Sequence, residues 1–199
     1  MPSVTQVLDA YQEPGIVAWK LSVGKVKAEA ISKEALAIGT EVDAFIRCDI
    51  KSQACDDTKS VDAVRNCMKG WAKFKLKYPE YVSQVEDIQV ELTKDDLMGH
   101  PDIIHKLEVS DIKSGNSLTL RPKYCVQASK YALLAKKDRA AIILLSKTNP
   151  NGAFLYMWWD GVLLQYFGQL VFDAFQTIFE YEAHVTNMVR KHLERERLA

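Results

Sequence analysis

Apolar positions change their period at Tyr81 of this chain. Through roughly the first eighty residues they recur every three to four positions, and from Tyr81 they alternate by two. The first pattern predicts helices over residues 3–13 and about 16–50, the second broken near Gly24, with Ile31, Ala35, Ile38, Val42, Phe45 and Ile46 forming one apolar stripe. A further helix is expected from Asp56 to Tyr78, opening on Asp, Thr and Ser capping candidates and closing before Pro79. The alternating pattern then predicts a strand over Val85–Leu92, a turn over Thr93–Asp96, a returning segment over Leu97–His105 and a third strand over Lys106–Lys113. Ser114-Gly115-Asn116 ends that strand, and a helix follows from about Pro122 to Lys137, with proline in its first turn. Ala140–Ser146 is a continuous apolar run, as expected of a strand buried on both faces. After the turn Asn149-Pro150-Asn151-Gly152, the segments Phe154–Trp159 and Val162–Phe167 flank Asp160-Gly161, which predicts a two-residue hairpin. A last helix is expected over about Gln169–Arg197. The order predicts an α/β protein with a central mixed β-sheet flanked by helices.

Composition adds bounds. A chain of 199 residues, 48% hydrophobic and without a Pro/Gly/Ser-rich linker, suits one domain. Its expected parts are a mainly helical 1–80, a sheet-bearing core at 81–167 and a C-terminal helix at 168–199. The 26 basic and 26 acidic residues cancel, so any nucleic-acid surface has to be local. Cys48, Cys55, Cys67 and Cys125 fit neither zinc knuckles nor a dense disulfide framework, and are expected to be reduced, mostly buried thiols in a cytoplasmic protein. The N-terminus lacks the basic start and apolar core of a signal peptide, and Gln165, Gln169, Asp173 and Gln176 interrupt the apolar run from Val162 to Phe179. Neither secretion nor a membrane span is expected.

The chemistry concentrates between Glu86 and Tyr131. On a strand, Asp111 and Lys113 project to one side while Ile112 points to the other, which sets a carboxylate beside an ammonium. Hydrolysis of a phosphodiester needs an activated water and a counter-charge for the developing phosphorane, and carboxylate-bound magnesium or manganese supplies both. Asp102 is the candidate bridging carboxylate, with Gly99 and Pro101 letting the strand bend toward Asp111, and Glu86 is the candidate that completes the oxygen shell. Gln127 and Tyr131, four apart on a helix, share a face from which an amide and a phenol reach a phosphate or the lysine. Taken alone, an Asp-x-Lys pair is more often a surface ion pair than a catalytic site. The ordered set is the specific signal.

That set, Gly-x-x-Asp at 99–102, Asp-x-Lys at 111–113 before Ser-Gly, and Gln-x-x-x-Tyr at 127–131, resembles the PD-(D/E)XK nuclease superfamily in its RecB-like and lambda-exonuclease-like branch. Pro2-Ser3-Val4-Thr5-Gln6-Val7-Leu8, Trp19 and the segment Ala37-Ile38-Gly39-Thr40-Glu41-Val42-Asp43-Ala44-Phe45-Ile46 extend the likeness upstream, so it spans most of the chain. The resemblance implies a restriction-endonuclease-like core. It implies Asp102, Asp111 and the Ile112 backbone carbonyl as metal ligands, Lys113 as the catalytic lysine, and Gln127 with Tyr131 as the helical motif. Glu86 takes the upstream acidic position, with Glu91 as its competitor. Many members of the branch carry a metal-binding histidine where this chain has Asp43, which stands either as a hard oxygen ligand or as a solvent-facing or capping aspartate. Iron-sulfur relatives have one cysteine upstream and three near the C-terminus; here three lie upstream and none follows Cys125, so no cluster is expected.

The implied activity is Mg²⁺- or Mn²⁺-dependent hydrolysis of DNA, as an exonuclease of phage recombination, repair or processing, in the host cytoplasm if phage-encoded. A recombination protein is a further conceivable partner. A structure-selective or site-specific endonuclease and a catalytically silent DNA-binding module are the alternatives. For DNA contact, Lys73, Lys75 and Lys77 stand on a helix whose Trp71 and Phe74 are read as its buried face, and Lys123 and Lys130 offer a second phosphate track. His100 shares a face with Asp102 by simple alternation, and is read as structural.

Overall fold

A computed structural model describes the chain except residues 12, 56–59, 95 and 199, and without the side chains of residues 189 and 191–199. Three helices open it: α1 (Val4–Asp9), α2 (Pro14–Val23) and α3 (Lys25–Ile50). Ser3 caps α1 with a capping box, its hydroxyl accepting from the Gln6 N–H while the Gln6 side chain accepts from the Ser3 N–H. Gly24 separates α2 from α3 at φ +81°, in the region that only glycine enters without strain. The next helix, α4, is described over Asp62–Lys77; its expected start at Asp56 lies outside the described residues.

Five strands form the main sheet in the order β1 (Val85–Ile88), β4 (Ile103–His105), β5 (Val109–Gly115), β6 (Arg139–Ser146) and β7 (Phe154–Asp160). β5 and β6 are parallel and joined through α5 (Pro122–Leu134), while the other neighbours are antiparallel. This is the expected mixed sheet flanked by helices. β6 shows why its sequence is continuously apolar: Ile142 and Leu144 face α1 and α5, and Ile143 and Leu145 face α3 and α4. Trp71 and Phe74 are buried under the second face, as the helical spacing predicted.

Two expectations fail for reasons visible in the backbone. The single long hairpin before β5 is instead two, because Gln89 takes a left-handed φ of 52° and ends β1 at Ile88. β2 (Leu92–Lys94) and β3 (Leu97–Gly99) then pair only with each other, in a separate ribbon beside α1. The hairpin at Asp160-Gly161 is absent. A type I′ turn needs positive φ at both positions, and Asp160 stays extended at φ −141°. Gly161, at φ +50°, turns the chain into α6 (Gly161–Gln165), a π-helical stretch over Tyr166–Val171 and α7 (Phe172–Leu198).

The thiol expectation needs one correction. Cys48 and Cys55 are joined by a disulfide that closes the loop after α3, whereas Cys67 and Cys125 are free and buried as expected. Among the described residues, no helix is long and apolar enough to cross a membrane.

Candidate active site

Strand alternation sorts β5 into two chemistries. Val109, Asp111 and Lys113 take the side of α5, and Ser110 and Ile112 take the side of α4, where Tyr81 donates a hydrogen bond to Ser110 Oγ at 2.7 Å. Ile103 is paired with Ser110, so Asp102 stands opposite Asp111 at the next step of the antiparallel ladder. Its carboxylate is fixed there: Asp102 Oδ2 accepts the Ile112 N–H at 2.6 Å. Lys113 Nζ lies 2.6 Å from Asp111 Oδ2 as an ion pair.

Burial makes this cluster electrically tense. Asp111 is 2% exposed, and its Oδ2, despite the lysine's proximity, has no aligned hydrogen-bond donor. Burial first, and the Asp111 charge second, hold the Asp102 carboxyl well above the usual carboxylate range. Burial pulls the Lys113 ammonium down, but Asp111 and Asp102 outweigh it and the net shift is upward. Lys113 is therefore a charged donor.

A cleft of about 340 Å³ opens over these groups, walled by Gly39, Thr40 and Asp43 of α3 on one side and by Asp102, Ile112 and Lys113 on the other. Asp43 faces the strand acids across it. Its acidity is weakened mainly by burial, with the Asp111 charge adding in the same direction. Gln89 links the two walls: its side-chain amide donates to Asp43 Oδ2, and its backbone N–H donates to the Asp102 carbonyl at 3.1 Å. The sequence carried no signal for Gln89 beyond a polar residue within an alternating segment. Its left-handed backbone, which removes it from the strand, is what puts it in the site.

Tyr131 and Gln127 form the third side. The Tyr131 phenol is 3% exposed and accepts from Gln127 Nε2 at 3.1 Å; Thr5 Oγ1 of α1 lies 3.4 Å from the phenol and accepts from Gln127 Nε2 at 3.2 Å. Burial and the nearby Asp111 raise the phenol's pKa, so it stays protonated. Gly99 has a different reason from the bend expected of it. A Cβ there would lie 2.9 Å from ring atoms of Tyr131, so glycine lets the ring lie directly against β3.

No family model matches the chain, and no curated protein matches it in sequence. Among solved structures, an alkaline exonuclease from Laribacter hongkongensis superposes with a TM-score of 0.52 at 11% identity, covering 96% of this chain and 93% of its own. The chain shares the fold of an exonuclease. The same enzyme in complex with dAMP gives a TM-score of 0.46 at 12% identity, with the same coverage of both chains.

Within that exonuclease-like fold, the two upstream acids stand apart from the cluster. Glu86 is ion-paired with Lys137, just beyond α5, at 2.6 Å. The bulge between Val85 and Asp87 leaves it against Lys137, and it is not part of the cleft lining. Glu91 lies 3.8 Å from His100 Nε2 across the mouth of the β2–β3 ribbon, with both side chains about half exposed. The lysines expected along the DNA are engaged in holding the fold. Lys75 binds both oxygens of Asp49, Lys73 donates to the Gly152 carbonyl, and Lys77 lies over the rings of Tyr78 and Phe154. Lys123 pairs with Asp9, and Lys130 lies near Asp173 and over the Phe172 ring.

Among the described residues, no three His, Cys, Asp or Glu side chains converge closely enough to enclose a metal ion. The donors that do meet are all hard oxygens: Asp102, Asp111 and, between Asp111 and Lys113, the Ile112 carbonyl. Such a set fits an open magnesium or manganese site, in which water and substrate complete the octahedron. One observation favours the fit: the mutual repulsion of Asp102 and Asp111, which a bound cation would relieve.

Proposed function

We propose that this chain is a magnesium- or manganese-dependent deoxyribonuclease of the PD-(D/E)XK type, working as an exonuclease in DNA recombination, repair or processing. The observation that carries the reading is the hydrogen bond from the Ile112 N–H to Asp102, which ties the acid of one strand to the Asp-x-Lys of the next. The fold likeness to an enzyme described as an alkaline exonuclease supports the choice of end-directed cleavage.

In this reading, Asp102, Asp111 and the Ile112 carbonyl would hold the metal, and the chemistry it would supply there is a water nucleophilic near neutral pH and a counter-charge for the phosphorane. Lys113, held in place by Asp111, directs its ammonium at the attacking water and a non-bridging phosphate oxygen. Gln127 and the protonated Tyr131 orient Lys113 and the substrate from above, and Thr5 fixes both. Asp43, steadied by Gln89, supplies a further oxygen from the opposite wall.

The test is cleavage of linear, covalently closed, single-stranded and end-blocked DNA in magnesium and manganese. The wild type is expected to degrade linear DNA and spare closed circles. Asp111→Asn and Lys113→Ala are each expected to lose at least about 10²-fold in rate while keeping the wild-type circular dichroism spectrum. Undiminished cleavage by both variants would overturn the assignment.

A further inference from the structure

Beside the catalytic cleft lies a second cavity, of about 650 Å³, between α2, α3 and the start of α5. The two share Ala35 as a common wall. Its lining combines an aromatic ring, Trp19, with apolar Ile16 and Ile31, two cations, Arg121 and Lys20, and one acid, Glu13. The volume suits a nucleotide. Among the described residues, the Trp19 ring stacks on no other ring and Arg121 forms no ion pair. This contrasts with Trp71, whose indole N–H donates to Asp49 at 2.7 Å, and Trp159, which donates to Ser129 at 2.7 Å.

Tyr124 connects the cavity to the chemistry. Lys113 Nζ lies 5.6 Å from the centre of its ring, and the Arg121 guanidinium lies 5.9 Å from the same centre. One ring therefore separates the cation of the cleft from the cation of the second cavity.

We propose that this cavity seats an unpaired nucleotide of the DNA strand next to the phosphate being cut, with its phosphate on Arg121 and its base against Trp19. The inference rests on the nuclease reading. Arg121 and Lys20 both attract a phosphate, but Arg121 is the cation that shares the Tyr124 ring with Lys113, so the phosphate next to the one being cut falls to Arg121 and the base to Trp19. An unstacked base offers the flat π-face that an indole takes up, and every base has one, so the seat is tolerant of sequence. α2 buries none of its residues fully, which leaves Trp19 replaceable without loss of the core.

The test is anisotropy titration of a dye-labelled single-stranded DNA oligonucleotide in EDTA, where nothing is cut, against wild type, Trp19→Ala, Trp19→Phe and Arg121→Ala. An oligonucleotide of abasic sites serves as the second ligand. Trp19→Ala is expected to weaken binding about ten-fold or more and Trp19→Phe by much less, and Arg121→Ala to reduce the dependence of log K on log salt by about 0.7. The abasic ligand should bind wild type and Trp19→Ala alike. Binding that follows this pattern supports the seat even where no cleavage is found, in which case the nuclease reading alone falls. Equal binding of the intact oligonucleotide by wild type and Trp19→Ala, or no binding by wild type, overturns it.

Discussion

Two acids lie only six residues apart, the half-buried Asp102 at the head of β4 and the buried Glu108 just before β5, and they are treated in opposite ways. Glu108 is 1% exposed, and its Oε1 accepts from Ser110 Oγ at 2.9 Å and from the Tyr156 hydroxyl at 2.7 Å. Neutral donors satisfy it, and no like charge acts on it. Asp102 receives one backbone N–H and faces Asp111, with Asp43 adding further repulsion. Burial raises both carboxyls, but only at Asp102 does a second carboxylate add to the shift. The first arrangement makes a core. The second sets carboxylates against one another beside Lys113, where a cation and a phosphate would meet, which is how a fold stores the capacity for metal chemistry.

The widest separation between the two is expected in activity. Asp102→Asn should lower cleavage at least about 10²-fold, whereas Glu108→Gln, which keeps the shape and its hydrogen-bonding oxygen, should leave the cleavage rate of the folded protein within about two-fold. Rate measurements at a temperature well below both melting transitions decide it. A large rate loss in Glu108→Gln would mean that the α4 face is part of the chemistry.

Stability against pH and metal divides them next. Both acids have folded pKa values above the ordinary carboxylate value, so the folded state keeps their protons as the unfolded chain gives them up. Their stabilising contribution is complete below the ordinary carboxylate pKa and is lost as pH rises through the raised values. Metal-free wild type is thus expected to melt at a lower temperature at about pH 7 than at about pH 5. Saturating manganese should restore stability near neutrality, by about 2.7 kcal/mol at a hundred times its dissociation constant. Asp102→Asn should flatten the acid preference and abolish the manganese effect, while Glu108→Gln should flatten it and keep the manganese effect. Calorimetry with and without EDTA reads both.

Much of this contrast was legible in the sequence on one side only. Asp102, Asp111, Lys113, Gln127 and Tyr131 meet because their spacing on strands and a helix is local information: alternation pairs Asp111 with Lys113, and a helical turn pairs Gln127 with Tyr131. The sheet was legible for the same reason, since both burial faces of β6 are written in its apolar run. What local patterning does not carry is where the backbone leaves its regular path. Gln89 at positive φ split one expected hairpin into two, set Glu91 apart from the main sheet and brought the Gln89 amide into the cleft, while the bulge between Val85 and Asp87 leaves Glu86 against Lys137. Gly161 did the same at the end of β7, turning an expected strand into helix. Glu108 gave no signal because its partners, Ser110 and Tyr156, come from two different strands.

The neutral side of the comparison can be broken at Tyr156. Tyr156→Phe removes one of the two donors to Glu108 Oε1 and leaves the ring among Phe74, Tyr78 and Tyr81. A buried acceptor that loses a partner costs about 1–3 kcal/mol, and urea titration should show that loss with an unchanged slope. The double variant Tyr156→Phe/Glu108→Gln should lose less than the sum of the two single changes, because they remove the same interaction.

The smallest effect is expected at the acids that the backbone moved away from the cleft. Glu86 is about half exposed and holds Lys137, whose ammonium also donates to the Lys106 carbonyl at 3.3 Å. In Glu86→Gln the lysine keeps that carbonyl and gains water, so stability should change by about 0–1 kcal/mol and less so in high salt. Glu91→Gln, at an acid that lies 3.8 Å from the half-exposed His100, should change it less still. Neither substitution alters a group within the cleft, so both variants are expected to cleave at the wild-type rate with an unchanged manganese requirement. A raised manganese requirement in Glu86→Gln would show that β1 rearranges when the metal binds, bringing an exposed acid in to join the buried ones.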